Sequence, residues 1–314
     1  MPDAGQIATH AQHCGFAAVA PGAVSCYASA MAMHPIPILA SIAELAATSD
    51  AWIVDIWGVM HNGERAYAAA AHATRAFRAA GGTVVLLSNA PRPFQAVEPH
   101  MAELGVPADA YDAGVTSGDV TRDMLKAWAG RRLLHIGPER DRPLLDGLEV
   151  RLAPAAEAEV VLCSGLYNDD TETPADYAGT LATLASRRVP MICANPDILV
   201  ERGHKLLYCA GALAQNYAAK GGEVAYAGKP HLPVYERALA EIARLRGRPV
   251  AKERVLCIGD GVETDLGGAH AAGLRSLFVA SPIFAPSGLS PDLLGELFGK
   301  RPFAPVAAMT GLAW

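Results

Sequence analysis

The chain has few aromatic residues, no long apolar run and no closely spaced cysteine pair. Aromatics make up 6% of the 314 residues while half of the chain is apolar, so a core must be built largely from Ala, Val and Leu. No apolar stretch reaches the roughly 18 to 20 residues that span a bilayer, which gives no ground for a membrane partner. The six cysteines (Cys14, Cys26, Cys163, Cys193, Cys209 and Cys257) include no C-x-x-C. A standard zinc motif and a disulfide framework are thereby disfavoured, and a reducing, cytoplasmic setting is expected. A net charge of −6 argues against nucleic acid as a partner. The first 32 residues contain no Lys or Arg, so they lack the basic start of a secretory signal. They also lack helix or strand periodicity, and residues 1–34 are read as a disordered extension. No G-x-G-x-x-G follows the first apolar run, which disfavours a dinucleotide-dependent oxidoreductase.

What is present is alternation. From Pro35 onward, short apolar runs alternate with amphipathic segments, the pattern of a parallel α/β sheet. Strands are predicted over Ala51–Asp55, Thr83–Leu87, Arg132–Ile136, Glu159–Cys163, Val189–Cys193, Glu223–Tyr226, Arg254–Ile258 and Ser276–Val279. An Ala-rich helix over about Ala66–Ala80 is stopped by Gly81-Gly82. Another follows a capping hydroxyl at Thr116-Ser117, and a third opens at Pro233. The middle third carries strands and helices of its own and separates motifs that belong together. The organisation expected is a core from residues 35–130 and 223–300, an inserted α/β module over 131–222, and a tail over 301–314.

Four segments carry candidate chemistry. Asp55 ends the first apolar run and is followed by Ile56-Trp57-Gly58. Ser88-Asn89 ends the second. Lys229 lies within Gly228-Lys229-Pro230, and Gly259-Asp260-Gly261 leads to Glu263-Thr264-Asp265. In a parallel sheet all four project from one carboxyl edge, where ligands bind. Phosphoryl transfer needs such a set, because it relies on positioning and on neutralising charge spread over oxygens. Asp55 and Asp260 supply hard oxygen ligands for Mg²⁺. Lys229 and Ser88 supply a cation and a hydrogen-bond donor for phosphoryl oxygens. A carboxylate in that setting can serve as the nucleophile.

In order and residue type, the four segments resemble the motifs of the haloacid dehalogenase superfamily, and Thr116-Ser117, Asn195-Pro196-Asp197 and Gly228-Lys229-Pro230 resemble its class IIA, NagD-like branch. The resemblance spans about Pro35 to Ala280. It implies a Rossmann-like parallel-sheet core with an inserted class II α/β cap. It also implies Mg²⁺-dependent hydrolysis of a small phosphate monoester, such as a nucleotide or sugar phosphate, through an aspartyl-phosphate on Asp55. Asp55, Lys229 and Ser88 would be catalytic. Ser88, Asn89, Lys229, Gly58 and Asn195 would hold phosphate and substrate, and Asp55, Asp260, Asp265 and the Trp57 backbone carbonyl would bind the metal. The implied partners are a small phosphorylated metabolite and a second copy in a homodimer.

One position departs from the family pattern. Trp57 occupies the place of a second aspartate, the usual general acid/base. Its carbonyl can still bind a metal, but an indole N–H neither gives nor takes a proton usefully. Two consequences follow: a substitute acid/base, for which His61 and Glu263 are the candidates, or a relative that binds phosphate ligands with impaired turnover.

Overall fold

The computed structural model describes residues 35–202, 205–280 and 288–314. The extension read at residues 1–34 lies outside them. Thirteen strands among the described residues, numbered along the chain, form two parallel sheets and one hairpin.

The larger sheet runs in the order β13-β12-β11-β1-β2-β3. Its members are β1 (Ala51–Asp55), β2 (Thr83–Ser88), β3 (Ala113–Thr116), β11 (Val255–Gly259), β12 (Arg275–Val279) and β13 (Ala307–Met309). β1 is buried along its whole length because helices cover both faces of the sheet. Its side chains alternate between them. Trp52 and Val54 join Phe77, Leu86 and Met309 on one face, while Ala51 and Ile53 join Val85, Tyr235 and Ile242 on the other. Trp52 stacks on Phe77 with centroids 3.9 Å apart, which anchors helix α2 (Ala68–Ala79) to the first face. Burying side chains of this size contributes about 1.5–3 kcal/mol each.

The remaining helices are α1 (Ala43–Ala47), α3 (Phe94–Glu103), α4 (Ser117–Leu125), α5 (Ala178–Ser186), α6 (Ala210–Ala219), α7 (Leu232–Arg246), α8 (Gly267–Ala271) and α9 (Pro291–Phe298). None among the described residues is long and apolar enough to cross a membrane.

The second sheet is formed by the insertion, in the order β10-β7-β6-β4-β5. It contains β4 (Arg132–Ile136), β5 (Arg151–Leu152), β6 (Val160–Cys163), β7 (Met191–Cys193) and β10 (Val224–Tyr226). Helices α5 and α6 cover one face through Leu181, Leu184, Leu213 and Tyr217. On the other face, Leu125 at the end of α4 packs among Leu133, Leu144, Val160, Leu162 and Ile192. Helix α4 therefore starts at the core sheet and ends in the core of the insertion. The hairpin of β8 (Leu199–Arg202) and β9 (Lys205–Tyr208) lies between β7 and α6 in sequence.

Two expected boundaries change. Residues 223–226 were assigned to the core, but β10 pairs with β7, Val224 opposite Met191, and is the edge strand of the inserted sheet. Residues 301–314 were read as a tail. They include β13, which pairs with β12 and accepts a second backbone connection from residues 37–39. Both are edge strands of three residues whose partners lie far away in sequence.

Candidate active site

Asp55 is the last residue of β1, flanked by β2 on one side and β11 on the other. Parallel register places the ends of all three strands together, Asp55 opposite Leu87 and Val54 opposite Ile258. Ser88-Asn89 and Asp260 therefore leave the sheet beside Asp55. At Gly58 the backbone takes φ +85°, and a Cβ there would collide with the Asp260 carboxylate. The turn after β1 closes on the acidic loop only because that position has no side chain.

After β11 the chain makes one π-type turn, Val262–Leu266. This wider winding brings Asp265 back under the loop, where its carboxylate accepts hydrogen bonds from the Gly261 N–H (3.2 Å) and the Thr264 hydroxyl (3.3 Å). Such turns recur at functional sites. Lys229 closes the arrangement. Its ammonium donates to Asp55 Oδ1 at 2.6 Å and to Asp265 Oδ1 at 2.7 Å, and all three groups are buried. Burial alone would lower the lysine pKa, but Asp265 and Asp55 outweigh it and hold the ammonium above its ordinary range. Asp55 moves the other way. Burial and the neighbouring Asp265 raise its carboxyl well above the usual range, against the pull of Lys229.

Asp55, Asp260 and Asp265 each offer a carboxylate oxygen, and these oxygens lie within 4.8 Å of one another. Three hard donors from separate segments, crowded where burial raises the Asp55 carboxyl, fit a divalent cation such as Mg²⁺.

A cleft of about 860 Å³ opens above this edge. Asp55, Trp57, Ser88, Lys229, Asp260 and Asp265 line it from the core, and Asn195, Asp141 and Ser164 line it from the inserted sheet. The Ser88 hydroxyl accepts the Ala90 N–H at 3.1 Å and faces the same space. Trp57 is half-buried at the rim. Asn195 holds its own turn by accepting the Asp197 N–H (3.0 Å).

Three expectations need correction. Asn89 was expected to bind phosphate; it does line the cleft beside Ser88, but its carboxamide is engaged within the protein. It accepts the Lys229 N–H at 2.7 Å and donates to the Lys229 carbonyl (3.1 Å) and to Asp197 (2.8 Å). Asn89 is a positioning residue for Lys229. His61 is not among the residues lining the cleft. It is 6% exposed, its Nδ1 accepts the Gly63 N–H at 3.0 Å, and burial together with nearby His100 lowers its pKa to about 4. With its ring outside the cleft lining, a substitute acid/base role has no support here. Glu263 points away as well, ion-paired with Arg301 at 2.6 Å. Sequence reasoning missed Asp141, which approaches the cleft from the far side. Nothing in the local sequence marks it, because its burial depends on strands that return later.

A model of haloacid dehalogenase-like hydrolases matches residues 52–151, and one of HAD-hydrolase-like proteins matches residues 226–294. A solved hydrolase of the haloacid dehalogenase-like family from Brucella suis is 45% identical, with 87% of this chain and 98% of that one covered and a TM-score of 0.76. The chain belongs to the haloacid dehalogenase-like family. The Rossmann-like core with an inserted α/β cap is the fold it shares with solved relatives. A glycerol phosphate phosphatase from Mycobacterium tuberculosis is 26% identical, covers 75% of this chain and 67% of its own, and has a TM-score of 0.57. A 4-nitrophenylphosphatase from Thermotoga maritima shares the fold at 20% identity, covers 85% and 96%, and has a TM-score of 0.66. No curated protein matches the chain. By family the protein is a hydrolase, and these named relatives are phosphatases.

Proposed function

We propose that this protein hydrolyses small phosphate monoesters through an aspartyl-phosphate on Asp55, with Mg²⁺ as cofactor. The observation that carries the reading is the convergence of Asp55, Lys229, Asp260 and Asp265 at one buried sheet edge beneath a cleft. The Mycobacterium tuberculosis relative, solved both with calcium and with magnesium, supports a divalent cation. Asp55, Asp260, Asp265 and the Trp57 carbonyl would hold it. When bound, the cation supplies positive charge against the phosphoryl oxygens.

The chain's own residues carry the steps. Lys229 grips one oxygen of Asp55 and fixes the carboxylate, and its ammonium supplies charge for the phosphoryl group. Ser88 is placed to donate to a phosphoryl oxygen. A carboxylate oxygen of Asp55 bonds to phosphorus as the ester P–O bond breaks, and the leaving oxygen takes both electrons and a proton from water. A second water then attacks the phosphorus, releasing orthophosphate and restoring the carboxylate. In this reading water serves at both proton transfers in place of Trp57, whose indole neither gives nor takes a proton usefully.

A second reading, phosphate-ligand binding with poor turnover, is favoured by Trp57 alone. Phosphate release from a panel of monoesters, with Mg²⁺ and with chelator, separates the two. Release that needs Mg²⁺ and falls at least about 10³-fold in Asp55→Asn is expected for the hydrolase. Binding of the same esters without release identifies the binding protein.

A further inference from the structure

Asp141 stands outside the chemistry at Asp55. It lies in the 3₁₀ turn Glu139–Leu145 that follows β4 in the cap, it is 1% exposed, and it lines the same cleft as Asp55. Neither of its carboxylate oxygens has a partner at hydrogen-bonding geometry among the described residues, although the Ser164 hydroxyl lies close enough to favour the ionised form. An unpartnered buried carboxyl carries a large desolvation penalty, and proteins rarely leave one unsatisfied. Its partner is expected to arrive from the cleft.

The surroundings narrow the chemistry of that partner. Ser164 shares its hydroxyl with His135 Nε2 at 2.9 Å, and Gly137 has no side chain where a Cβ would collide with both groups. Polar groups are thereby gathered beside Asp141. Arg140 and Arg92 face it and favour its charge, whereas Asp169 opposes it, and Arg140 is held by Asp169 at 2.6 Å. Burial raises the Asp141 carboxyl above the usual range, against the pull of Ser164, Arg140 and Arg92. A cationic amine would meet two arginines. An aryl group would offer no hydrogen bond. A hydroxyl both donates and accepts, and so satisfies the carboxyl in either protonation state.

We propose that Asp141, with Ser164 beside it, is a specificity-determining subsite that binds a hydroxyl on the leaving group, so that polyol and sugar phosphates are preferred over esters without one. The inference rests on the hydrolase reading and adds the class of leaving group to it.

The test compares kcat/KM for glycerol 3-phosphate and glucose 6-phosphate with that for propyl phosphate. The wild type is expected to favour at least one hydroxylated ester by about tenfold or more, since a site built around a substrate hydroxyl rejects the analogue lacking it. In Asp141→Leu that ratio should fall toward one, and Asp141→Asn, which still hydrogen-bonds, should keep most of it. A wild type without the preference overturns the inference. So does a parallel loss on all esters with the ratio unchanged, the result expected of a structural residue. If no ester releases phosphate, the hydrolase reading fails separately and binding decides. Glycerol 3-phosphate must then raise the melting temperature more than propyl phosphate does in the wild type, with the difference lost in Asp141→Leu. Equal shifts overturn the inference.

Discussion

At the scale of single residues, Trp57 bears most directly on how the proposed chemistry would run. The ring sits half-buried at the cleft rim two residues after Asp55, and its Nε1 lies close to Gly63. A positioned acid/base contributes about 10²–10⁴ in rate, and the residue found there can supply none of it. Trp57→Asp should therefore speed hydrolysis of the phosphorylated Asp55 by at least about tenfold, which rapid-quench measurement of the intermediate would read. A slower or unchanged decay would show that water already has what it needs. Much of this site was legible in sequence. Asp55, Ser88, Lys229, Asp260 and Asp265 each follow a short apolar run or a glycine turn, and such local signals survive without a structure. The role of Asn89 was not legible, because its partners Lys229 and Asp197 lie more than a hundred residues away. His61 misled for the same reason. Closeness to Asp55 along the chain does bring its backbone beside Gly58, but the turn it joins buries its ring outside the cleft lining.

Elements show the same contrast between local and distant signals. The start of α4 was anticipated from a hydroxyl before an acidic residue, and the structure has Thr116 and Asp119 as a reciprocal capping box. Asp119 does more than cap. It accepts the backbone N–H of Thr116 at 2.8 Å, the Thr116 hydroxyl at 2.9 Å and the N–H of Phe94 at the start of α3. One carboxylate thus satisfies the first turns of two helices. Asp119→Ala should lower unfolding free energy by about 1–3 kcal/mol in urea titration, with an unchanged slope. A loss confined to a few tenths would mean that solvent replaces the carboxylate. Edge strands were the elements that sequence placed worst. The run at Glu223–Tyr226 reads as a strand wherever it pairs, and its assignment to the cap rests on its hydrogen bonds to β7. β13 is only three residues, Ala307–Met309, too short for any period to show.

For the molecule as a whole, the pH dependence of stability follows from buried imidazoles. Burial lowers His135 from an ordinary 6.5 to about 4, with Arg142 adding to the shift, and His61 behaves alike. A histidine with a folded pKa below its unfolded value favours the fold in its neutral form. Its contribution is complete above about pH 6.5 and is lost as pH falls through the window down to about 4. Each such group steepens the slope there by up to about 1.4 kcal/mol per pH unit. Chemical denaturation of His135→Gln at several pH values should give a visibly flatter slope between 6.5 and 4 than the wild type. An identical slope would assign the acid sensitivity to other groups. The placement of β10 has a wider consequence. The edge strand of the cap ends at Tyr226, and the lysine that grips Asp55 and Asp265 follows three residues later. Asn89 clamps both sides of that lysine's backbone and also holds Asp197 on the cap. Lid and charge are therefore joined by a very short tether. Any shift of the cap would pull directly on the backbone that carries the ammonium, against the hold of Asn89 from the core.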